Sequence, residues 1–308
     1  ARGDIHGLNA PRGSEVTMQT EIGGKELRAV IDTYGGKVVR LYRPGGREYI
    51  WGETYCYWPD RAGVLFPTCG RVYEERMTYR GKSYPLPLHG VAYTSEMRIV
   101  SRTDDSVTLE LKGGGDDKYP FPYTLRVIWS VRGSVLSMTA EATNEGDEDM
   151  YCAFGFHPWM NVPIDPSRSF EDYYVTFPNA GDVRRCVMSA GVLDTGVREE
   201  YPTDGGKLRL RHSLFDDDAL MLEGTGGVAV IGCGSGEEYV FTYDKMPYIG
   251  FWHLEKKEVP FLCLEPMTAL PGREGVVEDW NTRPDITKVA AGGKTYARAT
   301  LEVRRGGN

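Results

Sequence analysis

Apolar and polar residues alternate with period two along much of this chain, and nowhere do they settle into a long helical stripe. In TLRVIWSVRGSVLSMTAEATN, Leu125, Val127, Trp129 and Val131 alternate with Thr124, Arg126, Ile128 and Ser130. Past Arg132-Gly133, Leu136, Met138, Ala140 and Ala142 alternate with Val135, Ser137, Thr139 and Glu141. Two is the strand period, and the glycine suits a tight turn, so the stretch predicts a hairpin. Further strands are expected in KVVRLYR, VTLELK, YYVTF, LRLRH, GVAVIGC, YVFTY, YIGFWHL and PFLCLE. Many short strands with turns between them predict an all-β sandwich or barrel. The simplest organisation is one antiparallel β domain over residues 14–304, with a loose N-terminal extension at 1–13 and a loose tail at 305–308.

Composition narrows the function more than the fold. The 308 residues carry 38 glycines, well above the usual ~7%, and most of them punctuate the apolar segments. Net charge is −8 and no Lys/Arg block stands out, which argues against a nucleic-acid partner. No run approaches the roughly 18 apolar residues of a membrane span, and ARGDIHGLNAPRG lacks the apolar core of a signal peptide. The six cysteines (Cys56, Cys69, Cys152, Cys186, Cys233 and Cys263) are scattered without a CxxC pair. They read as buried thiols in a reducing, cytoplasmic protein, monomeric or homodimeric.

Two short stretches carry the candidate chemistry. FGFHPW sets His157 in an apolar run before Pro158, and CLEPM sets Glu265 in another before Pro266. Phe261, Cys263 and Glu265 should share one strand face, with Leu262 and Leu264 on the other. A residue before proline is pushed to extended geometry, so both side chains are expected at stiffened strand ends. A buried carboxylate is costly unless paired or put to use, and an imidazole titrates near neutral pH. GVLFPTCGRVYEERMTYRGKSYPLPLHGVAY adds Arg71, a fork of donors, and His89 before Gly90. Trp159, Trp252, Tyr93 and Phe251 offer aromatic faces of the kind that pack on sugar C–H faces. In SLFDDDALML, Asp218 is the member of the acidic triplet expected to point inward. No GxSxG, P-loop or HExxH motif is present, and neither a metal nor another cofactor is expected. A His/His/Glu metal site would have to draw on His89, His157 and Glu265, which lie far apart in the chain.

The order of these motifs resembles the aldose 1-epimerase (galactose mutarotase-like) family, in its compact bacterial subgroup. From about residue 20 the chain runs through GGKVVRLYRPGGREYIW, VLFPTCGRV, LHGVAY, FGFHPW, LFDDDALML, YIGFWHL and CLEPMTALPGREG. The resemblance implies a large antiparallel β-supersandwich and an isomerase that interconverts the α and β anomers of a free aldose. It implies Glu265 as the base that takes the anomeric hydroxyl proton and His157 as the acid that protonates the ring oxygen. Arg71, His89 and Asp218 would hold hydroxyls, beside Trp159 and Trp252. Met267-Thr268-Ala269 after the glutamate, Val72-Tyr73-Glu74-Glu75-Arg76 after Gly70-Arg71, and Trp159 in place of a frequent tyrosine depart from the family pattern. These differences lie at the expected pocket rim and bear on which sugar is bound. Two alternatives stand beside this reading. One is a hexose-6-phosphate mutarotase, which would need a cluster drawn from Arg40, Arg43, Arg71, Arg76 and Arg80. The other is a non-catalytic carbohydrate-binding or regulatory protein on the same fold.

Overall fold

The computed structural model describes residues 18–52, 63–203 and 206–306. The extension expected at 1–13 lies outside them. Among the described residues every strand-to-strand ladder is antiparallel, and the only helices are short 3-10 turns.

The predicted hairpin forms inside a nine-stranded sheet. Tyr123–Arg132 pairs with Val135–Asn144, register Val131 opposite Leu136. The alternation works as expected: Leu125, Val127, Trp129, Val131, Leu136, Met138, Ala140 and Ala142 all point into the core. Lys294–Arg305 adds to the other side of Val135–Asn144 and in turn pairs with Glu237–Asp244. Its Ala297, Ala299, Leu301 and Val303 are buried in the same cluster. The strand runs through Arg305, which stands opposite Glu237, so residue 305, expected in a loose tail, belongs to the sheet. Ladder bonds with Glu237–Asp244 hold Arg304 and Arg305 in place, and Gly306 N–H donates to Gly236 O at 2.6 Å.

An eight-stranded sheet packs against the nine-stranded one and carries the site. Its central strands are Leu220–Glu223, Tyr248–Trp252 and Phe261–Met267, with Asp194–Glu200 at one edge. Leu220, Leu222, Ile249, Phe251, Leu262 and Leu264 face inward into the main core shared by the two sheets. Met221, Cys263 and Met267 face the other way, into a second cluster with Cys186, Trp159 and Phe261. The sheet is therefore apolar on both faces, and its outer face also holds Glu265. Of the cysteines, Cys69, Cys152, Cys186 and Cys263 are free, buried thiols and Cys233 is a free, partly buried one.

Candidate active site

Glu265 does not end its strand. It lies inside Phe261–Met267, opposite Gly250 on one side. The expectation of a strand end fails because proline breaks a ladder on only one edge of a strand. Leu264 N–H donates to Pro158 O at 3.1 Å and Thr268 N–H to Phe154 O at 2.8 Å. Alternate N–H groups point to the same edge, so the N–H that Pro266 lacks would have faced Phe156. On that edge the partner chain is itself interrupted, between Gly155–Phe156 and Trp159–Asn161. Pro266 thus removes a rung where the ladder is already broken, and the other edge stays paired.

The same register explains the second X-Pro pair. Gly155 stands opposite Met267 and Trp159 opposite Cys263, which sets His157 opposite Glu265. The hydrogen-bonded rungs fall at Pro158 and Leu264, so His157 and Glu265 occupy a non-hydrogen-bonded position, where cross-strand side chains come closest. His157 Nε2 lies 3.1 Å from Glu265 Oε1. Both residues are buried, at 7% and 5% exposure. Gly250 makes room for the carboxylate: a Cβ there would lie 3.2 Å from Glu265 Cβ, 3.5 Å from its Oε2 and 2.8 Å from Met221 Sδ.

Burial sets the protonation of this pair. It pushes Glu265 up to about 8, and the nearby Asp218 carboxylate adds to the rise. It pushes His157 well below its ordinary value, with His89 lowering it further. Near neutral pH the two groups share a single proton across the 3.1 Å contact.

The other sequence-predicted residues gather around this dyad. The His89 ring meets His157 edge-on, centroids 5.3 Å apart. His89 sits at φ +64°, pinned because its N–H donates to Gly70 O at 3.0 Å while Gly70 N–H donates to its Nδ1 at 3.2 Å. That bond leaves the ring proton on Nε2. Burial, then the Arg71 guanidinium, hold His89 down at about 3, so it stays neutral. Asp218 is also left-handed, at φ +81°, and its Oδ1 accepts the Ala219 N–H at 2.6 Å. Burial pushes its carboxyl up to about 6; the Ala219 N–H and Arg71 oppose the rise and Glu255 adds to it. Both side chains are held by strained backbone, which concentrates at functional sites. Arg71 is half-exposed, 3.9 Å from Glu75.

Trp252 approaches His157 at 6.4 Å between centroids, nearly perpendicular. Trp159 is 5% exposed and stacks on Phe261 at 4.9 Å, so it forms a wall and offers little face of its own. Tyr93 packs beside His89 at 5.2 Å. Phe251 points into the main core, away from the cleft. Among the described residues His157 Nδ1 and Trp159 Nε1 are buried and have no hydrogen-bond partner.

Three residues here were not singled out from the sequence. Gly250, inside the apolar YIGFW, carried a usable signal, since a strand glycine marks close approach. Glu255, which acts on Asp218, is one of several charged residues in HLEKKE and carried none. Cys263 offers a thiol that, with His157 and Glu265, has ligand atoms within 4.8 Å of one another. That set could hold a soft metal ion. Burial and the Glu265 charge push the thiol well up, which opposes the thiolate such a site requires. The arginines considered for a phosphate do not converge. Arg40 pairs with Glu48, Arg43 with Glu237, Arg76 with Glu74 and Arg80 with Glu148.

The model of the aldose 1-epimerase family matches residues 18–184, more than half of the chain. The chain belongs to that family. Protein LacX of Lactococcus lactis is 28% identical over 290 residues, covering 88% of this chain and 95% of its own. A galactose mutarotase-like protein from Lactobacillus casei superposes with a TM-score of 0.87 at 26% identity, covering 93% of this chain and 100% of its own. A galactose mutarotase related enzyme from Lactobacillus acidophilus gives 0.85, also at 26% identity, over 93% and 97%. The architecture is that of the galactose mutarotase-like sandwich.

Proposed function

We propose that this family member is an aldose 1-epimerase that interconverts the α and β anomers of a free aldose, with Glu265 as base and His157 as acid. The observation that carries the reading is the 3.1 Å contact between the buried His157 imidazole and the buried Glu265 carboxyl. Opening a cyclic hemiacetal removes a proton from the anomeric hydroxyl and delivers one to the ring oxygen. Both oxygens are bonded to the same carbon, so an acid and a base one hydrogen bond apart can serve both. The reactive form is Glu265 carboxylate with His157 imidazolium. Ring opening converts it to protonated Glu265 and neutral His157, the form that burial favours. The freed aldehyde rotates about its C1–C2 bond. Closure on the other face runs the transfers backward and restores the starting pair, with no net proton exchanged.

His89, with its Nε2–H, and the Arg71 fork supply donors to hydroxyls, and Asp218 supplies an acceptor. Trp252 presents an aromatic face beside the dyad. The paired, dispersed arginines favour an uncharged sugar over a hexose phosphate, and a cytoplasmic setting fits the free thiols.

Polarimetry on freshly dissolved α-glucose and α-galactose tests the reading. Wild-type protein should speed the approach to the same final rotation. Glu265→Gln and His157→Asn should stay folded and lose about 10²–10⁴ in rate. Wild-type rates in either variant would remove these residues from the mechanism.

A further inference from the structure

A close histidine pair, His212 and His253, lies outside the dyad and takes no part in its chemistry. His212 Nδ1 lies 3.1 Å from His253 Nε2, and His253 Nδ1 lies 2.8 Å from Leu254 O. A carbonyl oxygen only accepts, so the His253 ring proton is on Nδ1. Burial holds His253 down at about 4, so near neutral pH its Nε2 carries a lone pair. The donor across the 3.1 Å contact is therefore the Nδ1–H of His212, whether or not that ring is charged. Phe170 stacks on His212 at 4.4 Å, and Phe215 lies 4.3 Å from the fully enclosed His253 ring. The charged groups acting on the pair are Glu171 and Glu258 at His212 and Asp216 at His253.

The pair ties together two segments that lead to the site. Leu220 stands opposite Phe251, so the chain before Leu220–Glu223 and the chain after Tyr248–Trp252 leave the sheet at the same end, side by side. The first segment is the 3-10 turn His212–Phe215, followed by Asp216, Asp217 and Asp218. The second is His253, Leu254 and Glu255. Each segment carries one histidine of the pair and one carboxyl near the dyad: Asp218 acts on Glu265, and Glu255 hydrogen-bonds to the Asp218 carboxyl. Asp218 hangs from the turn by its N–H, which donates to Phe215 O at 3.2 Å, and the Phe215 ring packs on His253. Its φ of +81° is one that a non-glycine residue keeps only where its surroundings enforce it.

We propose that His212 is a positioning residue: by donating to His253 it clamps the His212–Phe215 turn to the end of Tyr248–Trp252 and holds Asp218 beside the His157–Glu265 dyad. Its role in the reaction rests on the mutarotase reading; the clamp itself does not.

The test compares wild type with His212→Leu, which keeps bulk against Phe170 and removes the donor, and with His212→Asn, whose amide N–H stands where Nδ1–H stood. His212 is partly exposed, so both variants should fold. Long-range ¹⁵N–¹H NMR spectra of histidine-labelled protein read the tautomers without any sugar. His253 should carry its proton on Nδ1 in wild type, and its Nε2 signal should move in His212→Leu. A proton on Nε2 instead, or an Nε2 signal that the leucine leaves in place, would overturn the clamp. Anomeric exchange of glucose and galactose then reads the site. His212→Leu should lose about tenfold in kcat/KM, chiefly through KM, because Asp218 holds a hydroxyl. Its alkaline limb should move down by about half a pH unit, because the Asp218 carboxylate no longer stands by Glu265. His212→Asn should restore most of both. In an Asp218→Asn background, His212→Leu should change kcat/KM by less than about twofold. A wild-type KM and pH profile in His212→Leu, an undiminished loss in the Asp218→Asn background, or no rescue by asparagine would each overturn the proposal. If wild type accelerates no sugar, the mutarotase reading fails separately, and the histidine spectra decide the clamp.

Discussion

On the proposed mechanism Glu265 acts as a reactive group at a cost in stability. Its folded-state value of about 8 lies above the ordinary 4.5, so between those values the folded chain holds a proton that the unfolded chain releases. Its contribution to stability is complete below about 4.5 and is lost as pH rises through 8. Glu265→Gln, which keeps the shape and removes the charge, should therefore gain Tm over wild type as pH rises. A gain of at least about 2 °C at pH 9 and almost none at pH 5 is the expected result in a thermal melt. A gain independent of pH would mean that the carboxylate is not held in the way described. On the proposed mechanism the same proton limits the alkaline range of catalysis. Above about 8 the dyad loses its last proton and His157 has nothing to deliver, so kcat/KM should fall tenfold per pH unit. Gly250→Ala places a methyl 3.2 Å from Glu265 Cβ and 2.8 Å from Met221 Sδ. The flexible methionine can yield, so the fold should survive. The displaced carboxylate should cost about tenfold or more in kcat, measurable by polarimetry beside an unchanged circular dichroism spectrum.

The decisive element is the pair of chain segments that bring His157 opposite Glu265. Its apolar character and its two prolines are legible in FGFHPW and CLEPM, and so is the sharing of one face by Phe261, Cys263 and Glu265. The contact itself is not. Register between strands a hundred residues apart depends on the whole sheet, and sequence supplies only the faces. The alternation of Ala297, Ala299, Leu301 and Val303 in Lys294–Arg305 is as regular as in the predicted hairpin, so that strand was readable though not singled out. By contrast, Asp194–Glu200 is an edge strand of mostly exposed polar residues, without the buried face that makes a strand readable. The segment after Glu265 is held by a buried group that no local pattern announces. Arg283, 5% exposed, donates to Asp285 Oδ1 at 2.8 Å and to Leu270 O, and lies 3.5 Å from Glu278. Arg283→Met removes the guanidinium partner of Asp285 and one of the two at Glu278, which keeps Arg273, and should cost about 3–5 kcal/mol in urea unfolding. A loss under about 1 kcal/mol would show that the segment is held by packing alone.

Across the whole molecule, buried neutral histidines set the acid limit. His89 is held at about 3 and His253 at about 4, both chiefly by burial, against an ordinary 6.5. His253 is fully enclosed between Phe215 and His212, whose Nδ1 lies 3.1 Å from its Nε2. Between pH 6.5 and 4 the unfolded chain binds protons that the folded chain refuses, so stability falls as pH drops through that window. Glu265 acts with the opposite sign, so the effect is cleanest in Glu265→Gln, whose urea midpoint should decline steadily from pH 7 to pH 4. At this scale the fold was the most legible part of the chain, because period-two patterning extends over most of its length. Substrate identity was the least legible, because the surroundings of the dyad are assembled from distant segments, His89, Asp218 and Trp252 among them.

The measurement closest to the central claim is anomeric exchange of ¹³C-1-labelled glucose and galactose by NMR, with wild-type protein and with Glu265→Gln. The account predicts an exchange rate that rises linearly with wild-type concentration for at least one sugar and stays at the spontaneous rate in the folded variant. Equal acceleration by both proteins would contradict the roles given to His157 and Glu265, and no acceleration by either would contradict the assignment of the site to mutarotation.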